Sequence, residues 1–87
     1  MNSRCLPRFW RLYEALPADV KAQARKAFGL FRENPSHPSL RFKPLQRYAG
    51  CWSVRVAISY RAISRRDGDV VHWFWIGSHA DFDRDFG

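Results

Sequence analysis

Apolar residues recur with a helical period over the first third of the chain. After Pro7 they fall three and four residues apart, and Pro17 separates this first stripe from a second one that ends at Asn34-Pro35. The residue before a proline is disfavoured in the α region, so the second helix must end there. The pattern predicts two consecutive helices that form an αα-hairpin. Their stripes are Phe9, Leu12, Tyr13 and Leu16, and Val20, Ala24, Ala27, Phe28 and Phe31.

The period changes to two after the second helix. Apolar residues alternate with Arg41 and Lys43 over residues 40–45, which predicts a first strand. A second alternating run extends from Cys51 to Ser64. Its fourteen residues would span roughly 46 Å at about 3.3 Å each, whereas a domain of this length has a diameter of roughly 30 Å. The chain must therefore reverse within the run, and we place the reversal near Ala57–Ser59.

The last third of the chain carries three further signals. Asp67-Gly68 lies between two strand-like runs and predicts a hairpin. The run from Val70 to Ile76 is apolar at nearly every position, which is typical of a central strand covered on both faces. Ser78 then suits the N-cap of a short helix with Asp81 in its first turn.

Helices and strands are thus segregated along the chain, which favours an α+β fold. We expect an N-terminal αα-hairpin packed on a small, mainly antiparallel sheet of three or four strands, followed by a short C-terminal helix. The length of 87 residues predicts a single domain over residues 1–87.

Positive charge is concentrated in the first half of the chain. Residues 1–48 contain ten Lys or Arg and three Asp or Glu, whereas residues 49–87 contain five of each. A net charge of +7 on so small a fold favours a polyanionic partner, and RNA, DNA or an acidic protein segment would all fit. A basic surface that only confers solubility is the alternative.

Composition also argues against several classes of protein. No stretch approaches the roughly 20 apolar residues of a membrane span, and the N-terminus lacks the apolar core of a signal peptide. Cys5 and Cys51 are too few for a disulfide framework, and we expect both thiols to be reduced, with a single bridge between them as the alternative. We expect a cytoplasmic protein that is not attached to a membrane. The cysteines and histidines lack the paired spacing of zinc sites, and no cofactor-binding motif is present.

His79 is the first candidate for chemistry, because it follows the end of the apolar strand at Gly77-Ser78. A strand end is a rigid mount, and histidine titrates nearest to physiological pH. The alternative is a histidine at a helix start that only hydrogen-bonds the backbone.

Cations on the predicted sheet are the second candidate. Arg55 and Arg61 share the polar parity of the long alternating run. If the neighbouring segment pairs with it, basic residues line one sheet face and would bind phosphate, with nearby aromatic rings available to stack on unpaired bases. A solvated sheet face is the alternative. The additional residues in question are Arg41, Lys43 and Arg47 among the cations, and Trp52 and Tyr60 among the aromatics.

Three segments of the chain resemble the RelE/ParE superfamily of small bacterial toxins. The first is the helix exit Glu33–Pro35 with His37-Pro38. The second is Trp52–Ile63, which is similar to the paired middle strands of the superfamily. The third is Trp75–Asp81, which resembles the Gly-Thr-His end of its YafQ branch. The resemblance covers most of residues 7–86 and implies the fold predicted above.

The resemblance implies a toxin that is held inactive by a cognate antitoxin. RelE- and YafQ-like members cut messenger RNA on the ribosome without a metal ion or other cofactor. Matched by position, His79 is the catalytic acid or base, and Arg61, Lys43 and Arg55 stabilise charge on the phosphate. Phe82 and Phe86 stand where many nuclease members have a tyrosine, so Phe82 is expected to stack on a base and cannot exchange a proton.

Three other functions remain open from the sequence. ParE-like members of the superfamily poison DNA gyrase and need no nuclease residues, and an inactive relative would only bind its antitoxin. The predicted middle strands also lack the second histidine of the YafQ pattern on the face that carries Arg55. A third alternative is a module that binds RNA without sequence preference and without toxicity.

Overall fold

The computed structural model describes all 87 residues as three helices and a five-stranded sheet. Two helices and a first strand occupy the N-terminal part, and most of the sheet follows. The strands are β1 (Asn2–Cys5), β2 (Lys43–Pro44), β3 (Cys51–Ala57), β4 (Tyr60–Asp67) and β5 (Val70–Ser78). The helices are α1 (Pro7–Glu14), α2 (Ala18–Glu33) and α3 (His79–Phe86), with a 3₁₀ turn at Pro38–Leu40. The predicted α+β class is confirmed.

The αα-hairpin is also confirmed. Pro7 occupies the first turn of α1, where its missing N–H has no helical partner to lose. Pro17 precedes α2, and Asn34 ends it. The two apolar stripes pack on one face of the sheet around Trp73, whose ring centroid lies 5.1 Å from that of Phe28 and 5.4 Å from that of Phe31.

The strands are ordered β1-β5-β4-β3-β2, and every neighbouring pair is antiparallel except β1 with β5. The sheet therefore has more strands than the three or four predicted. The additional one is β1, a short parallel edge strand whose four residues show no apolar alternation. Its pairing with β5 places β5 between two strands, and no residue of β5 is exposed, as the apolar run predicted.

The prediction of a strand over residues 40–45 is largely wrong. Leu40 belongs to the 3₁₀ turn and is buried in the core. Only Lys43 and Pro44 pair with β3. Pro44 has no N–H to donate, so the segment is confined to a short piece at the sheet edge.

Both predicted reversals of the chain are confirmed. Ile58 and Ser59 separate β3 from β4, and Gly68 with Asp69 forms the two-residue connection to β5. Gly68 has a φ of 60°, which an L-residue with a Cβ adopts only at a cost. The turn therefore uses Gly68 as its first central residue, the position that favours glycine in one of the two tight hairpin turns.

A bulge in β5 decides which face each aromatic side chain occupies. Ile63 pairs with Trp75 and Ser64 pairs with Trp73, so Phe74 is an extra residue of β5 that has no partner on β4. The extra residue reverses the alternation. Trp73 points to α1 and α2, whereas Trp75 points to the opposite face, where its ring centroid lies 5.2 Å from that of Phe86. This reversal gives α3 an aromatic surface to pack on.

The two cysteines are both free. Cys5 lies on β1 and Cys51 on β3, with β5 and β4 between them. Three strand spacings amount to roughly 14 Å, about twice the Cα separation that a disulfide tolerates. Partial burial raises the pKa of the Cys5 thiol above its ordinary value.

None of the helices combines the length and the apolar character that a membrane crossing requires. No cluster of three or more His, Cys, Asp or Glu side chains is arranged to hold a metal ion.

Candidate active site

A cleft of about 340 Å³ opens at the end of the β3–β4 hairpin, beside the start of α3. We call it the cationic cleft, because four of its nine lining residues are Lys or Arg and none is Asp or Glu. The lining residues are Arg41, Lys43, Ser53, Val54, Arg55, Ile58, Tyr60, Arg61 and His79. Fixed positive charge without a carboxylate partner favours an anionic ligand.

Strand pairing brings the cations together. Arg55 and Arg61 are direct cross-strand partners in β3 and β4. Lys43 on β2 pairs with Ser53, which shares the face of Arg55 because the two are two residues apart. Like charges directly opposite one another destabilise a sheet, and an anion bound between them would offset that cost.

Arg41 reaches the cationic cleft through an unusual backbone conformation. It follows the 3₁₀ turn with a φ of 47°, the only positive φ outside glycine. Such a conformation costs a residue with a Cβ about 1–2 kcal/mol. It allows Leu40 to enter the core while Arg41 lines the cleft. Strained backbone of this kind clusters at functional sites.

His79 is the first residue of α3. Its backbone N–H donates to the carbonyl of Ser59 over 2.9 Å, which ties the helix start to the β3–β4 turn. Ser78 caps the helix as predicted, since its Oγ accepts from the backbone N–H of Asp81 over 3.1 Å. The backbone of His79 is thus used structurally, and its ring remains exposed in the cleft.

The ring of His79 contacts a cation of the sheet. Nη2 of Arg61 lies 3.2 Å from Nδ1 of His79. A guanidinium has donors and no acceptor, so Nδ1 accepts and the neutral ring carries its proton on Nε2. The two residues assigned to acid/base and phosphate chemistry are therefore hydrogen-bonded to one another.

Arg61 also contacts an aromatic side chain of α3. Its guanidinium carbon lies 4.6 Å from the centroid of the Phe82 ring, within the range of a cation–π contact. Phe82 in turn packs on Trp75 and Phe86, with centroids 6.0 and 5.0 Å away. Phe82 was expected to stack on a base, but it lies outside the lining of the cationic cleft and supports Arg61 instead.

Polar contacts fix α3 on the sheet around this aromatic cluster. The indole N–H of Trp75 donates to Oδ2 of Asp85 over 3.0 Å, and the hydroxyl of Tyr48 donates to the carbonyl of Phe86 over 2.7 Å. The Arg84 guanidinium and then the Trp75 indole lower the pKa of Asp85 below its ordinary value. The end of α3 is therefore anchored by a carboxylate that stays charged.

The structure separates two predicted residues from the others. Trp52 has the parity of Val54, so its side chain lies on the helix side of the sheet, between Phe42 and Arg66. It therefore cannot stack on a ligand held beside Arg55. Arg47 is exposed in the segment between β2 and β3 and does not line the cleft.

Three residues that line the cleft were not among the predicted site residues: Ser53, Val54 and Ile58. Ser53 and Val54 are buried, so Ile58 is the one with a large exposed side chain. Ile58 lines the cleft and is 79% exposed, although it shares the parity of Val54 and Val56, which lie in the core. Parity has no meaning within a reversal, and Ile58 stands at the tip of that reversal. The sequence contained a signal for this position, because an apolar residue within the expected reversal must be exposed at its tip.

Comparison with known proteins agrees with this architecture. The family model of the ParE-like toxin domain matches residues 18–84. No curated protein matches the sequence.

Three solved structures illustrate the fold. The RelBE2 toxin–antitoxin complex from Mycobacterium tuberculosis is 27% identical, with a TM-score of 0.70 over 88% of this chain and 95% of that one. The RelB–RelE complex from Methanococcus jannaschii is 13% identical, with a TM-score of 0.78 over 97% and 99%. YafQ from Escherichia coli is 16% identical, with a TM-score of 0.75 over 99% and 98%. The last two are similar in fold alone.

Proposed function

The chain belongs to the family of ParE-like toxin domains, and we propose that it inhibits translation in the cytoplasm as the toxin of a toxin–antitoxin system. In this proposal it cuts ribosome-bound messenger RNA without a metal ion. The observation that carries the proposal is the hydrogen bond between Arg61 and His79 inside the cationic cleft. A protein that only blocked a partner surface would not need an acid/base group joined to a phosphate-binding one.

The proposed reaction uses the RNA as its own nucleophile. The ribose 2′-OH loses its proton and attacks the adjacent phosphorus, forming the 2′-O–P bond. The P–O5′ bond breaks, which leaves a 2′,3′-cyclic phosphate on one product and a 5′-OH on the other. No water, metal or cofactor is consumed, because the reaction is an internal transfer of one phosphodiester bond.

Six residues of the cleft have a part in the proposed reaction. His79 moves a proton at the ribose or at the leaving 5′ oxygen, and such positioned transfer contributes about 10²–10⁴-fold to a rate. Arg61, Arg55 and Lys43 donate hydrogen bonds to the phosphate oxygens as charge develops there, and donors fixed in advance contribute a comparable amount. Arg41 and Tyr60 lie beside them, where they contact the RNA on either side of the cut.

Binding of the RNA also changes the pairing inside the cleft. Arg61 donates to Nδ1 of His79 in the free protein. A phosphate competes for the same guanidinium, because an anion is a stronger acceptor than a neutral ring nitrogen. When Arg61 turns to the phosphate, Nδ1 is released and can accept a proton. The substrate thus frees the base that acts on it.

Primer extension on messenger RNA from cells that express the protein tests the proposal. New 5′ ends within codons are expected with the parent protein and absent with His79→Ala or Arg61→Ala. His37→Ala is the matched histidine control, because His37 caps the 3₁₀ turn outside the cleft. Intact transcripts from growth-arrested cells would exclude cleavage.

A second function is favoured by the aromatic residues of α3. Phe82 and Phe86 carry no hydroxyl to exchange a proton, and the family model is that of the ParE-like toxin domain. A toxin that poisons DNA gyrase would retain growth arrest in His79→Ala and Arg61→Ala. Inhibition of DNA supercoiling by the purified protein would then identify gyrase as the target.

We also propose that a cognate antitoxin holds the protein inactive. The similar structures from Methanococcus jannaschii and Mycobacterium tuberculosis are both toxin–antitoxin complexes. A neighbouring gene that encodes a short protein able to restore growth when co-expressed would establish the pair.

A further inference from the structure

A second groove lies on the helix side of the sheet, between the end of β3 and the middle of α2. Its volume is about 440 Å³, which is within the roughly 300–1,000 Å³ of small-ligand sites. Its floor is apolar and includes Leu30, Leu40 and Val56, of which the last two belong to the core. We call it the flanking groove.

The flanking groove and the cationic cleft meet at the outer edge of β3. Arg55 and Ile58 line both of them. The neighbouring strand β2 pairs only with Trp52 and Ser53, so no strand covers the edge of β3 from Arg55 to Ala57. A chain bound in the cationic cleft can therefore cross this open edge and continue into the flanking groove.

The flanking groove carries the polar groups that a nucleotide needs. Lys26 and Arg55 line it and no Asp or Glu does, and neither cation takes part in an ion pair of the chain. Gln23 lines it as well and is exposed. Its side-chain amide offers both a donor and an acceptor to the edge of a base. Cations for phosphate, an amide for the base edge and an apolar floor for the base face are thus combined in one groove.

Ile58 stands between the two sites. Its side chain is 79% exposed at the tip of the reversal between β3 and β4. A single exposed apolar residue is ordinary, but this one lies on the path that joins the cationic cleft to the flanking groove. Apolar side chains can insert between neighbouring bases and unstack them. Ile58 is therefore placed to separate a base on one side of the edge from a base on the other.

Separation of two bases would serve the proposed cleavage. The attacking and leaving oxygens of a phosphoryl transfer lie roughly in line across the phosphorus. In stacked RNA the 2′-OH lies to the side of that line, so the nucleotides that flank the phosphate must be splayed apart before attack. A protein that holds one nucleotide on each side of Ile58 stabilises the splayed form and offsets the cost of unstacking.

We propose that the flanking groove binds the nucleotide next to the cleaved linkage, and that Ile58 is a positioning residue that keeps this nucleotide apart from its neighbour. The base lies on the apolar floor and contacts the amide of Gln23, and Lys26 meets the next phosphate. The inference rests on the proposed RNA cleavage. A peptide is the other occupant that an apolar floor would admit, but the unpaired cations and the continuity with the cationic cleft favour RNA.

NMR titration of the isotope-labelled full chain tests the inference without cleavage. One probe is a trinucleotide of adenosines whose 2′ oxygens are methylated, so that it cannot be cut, and the other is adenosine 3′-monophosphate. Both are expected to shift the ring of His79 in the cationic cleft. Only the trinucleotide is expected to shift the side-chain amide of Gln23 and the backbone amides of Ala27 and Ala57.

The NMR outcomes separate the inference from the proposed function. Shifts of His79 without shifts of Gln23 would overturn the flanking groove and leave the cationic cleft as an RNA site. No shift of either residue at about 1 mM probe would overturn both. A shift of Gln23 by a peptide of alternating valine and glutamate, but not by the trinucleotide, would make the groove a protein-binding site and would also overturn the inference.

Lys26→Ala separates the flanking groove from general attraction to a basic protein. Its matched control is Arg32→Ala, an equal charge change on α2 outside both sites. Lys26→Ala is expected to weaken the trinucleotide about threefold, the effect of one exposed ion pair, and to leave the mononucleotide unchanged. Equal losses in the two variants would show that affinity follows net charge alone, and the groove would not be a binding site.

Fluorescence of 2-aminopurine measures the unstacking directly. This base replaces the central adenine of the trinucleotide, and stacking on a neighbour quenches its emission. Emission is expected to rise on binding to the parent protein and to Ile58→Leu. It should stay quenched with Ile58→Ser, which also binds about tenfold more weakly because apolar burial is lost. Ile58 is exposed, so neither substitution should alter the fold. An equal rise with Ile58→Ser would overturn the positioning role.

Discussion

Nη2 of Arg61 donates to Nδ1 of His79 over 3.2 Å although the two residues are 18 positions apart. They meet because Tyr60 pairs with Ser78 and Arg61 pairs with Gly77, so the start of β4 lies beside the end of β5. The sheet thus positions both side chains, and α3 adds only the helical turn that directs the His79 ring. Substitutions at either residue test whether this contact is functional.

His79→Ala is expected to lower the rate of RNA cleavage by about 10²–10⁴-fold, the usual contribution of a positioned acid or base. RNA affinity should change little, because the four cations of the cleft remain. Single-turnover cleavage of ribosome-bound message and a separate binding titration measure the two effects, with His37→Ala as the control.

The double variant Arg61→Ala with His79→Ala is expected to be little slower than the slower single variant. Residues that act as a unit show such non-additive losses. The measurement is a double-mutant cycle on the same single-turnover rate. Losses that add in free energy would show that Arg61 and His79 act independently and would contradict the coupling.

Phe82→Leu is expected to slow cleavage about twofold to fivefold, because a cation–π contact at an exposed site contributes about 0.5–1 kcal/mol. Phe82→Tyr keeps the ring under Arg61 and should retain most of the activity. If Phe82 acts only by supporting Arg61, Phe82→Leu lowers kcat and leaves KM unchanged. A rise in KM alone would instead support stacking of Phe82 on a base.

Arg41→Gly is expected to raise the melting temperature while weakening RNA binding. Glycine relieves the positive φ at this position, and loss of the cation removes one phosphate contact, which lowers the salt slope by about 0.7. Arg47→Gly is the matched control outside the cleft. Equal losses of RNA affinity and of salt slope in both variants would show that only net charge matters.

The sequence predicted the elements whose signals are local. Proline at 7 and 17 and Asn34-Pro35 delimited the helices. The length of the alternating run required a reversal, which was predicted near Ala57–Ser59 and lies at Ile58–Ser59. The edge strand β1 could not be predicted, because its pairing with β5 is non-local and its residues show no alternation. Residues 40–45 misled because their alternation arises from a 3₁₀ turn followed by a positive φ.

The residues of the candidate site could likewise be predicted where the signal is local alternation. Alternation alone placed Arg55 and Arg61 on one face, and the pairing of β2 with β3 brings Lys43, also predicted, to the same face. Parity also contained enough information to exclude Trp52, since it matches Val54. The bulge at Phe74 carried no such signal, yet it turns Trp75 toward α3 and so places Phe82 beneath Arg61. A position set by a bulge depends on packing that the local pattern does not contain.

Acid should release α3 from the sheet before the remaining fold opens. The pKa of Asp85 is lower in the folded protein than its ordinary value of 3.8. The charged Asp85 carboxylate therefore contributes its full stabilisation above pH 3.8. This contribution disappears as pH falls through the lower pKa that Asp85 has in the folded protein. Indole fluorescence and proteolysis of the C-terminus, followed from about pH 5 to pH 2, measure the release.

Asp85→Asn is the companion variant for the acid prediction. It removes the charge that Arg84 holds while leaving an oxygen to accept from the Trp75 indole. The release of α3 should then lose its pH dependence below 3.8. A variant that retains the same acid transition would show that a different carboxylate controls the release.

Gly77→Ala is expected to destabilise the protein by about 1–3 kcal/mol, the usual cost of overpacking a buried position. A Cβ on Gly77 would lie 2.9 Å from two ring carbons of Trp75, which is itself buried. The indole would have to move, and it carries both the hydrogen bond to Asp85 and the contact with Phe82.

The loss of stability in Gly77→Ala should therefore be accompanied by a loss of activity. Urea unfolding and RNA cleavage are measured together, with Gly29→Ala as the control in which the new methyl group meets open space. That control should be more stable than the parent by up to about 1 kcal/mol. If Gly77→Ala unfolded at the same urea concentration as the parent, the packing of Trp75 beneath α3 would not be the constraint that keeps glycine at the end of β5.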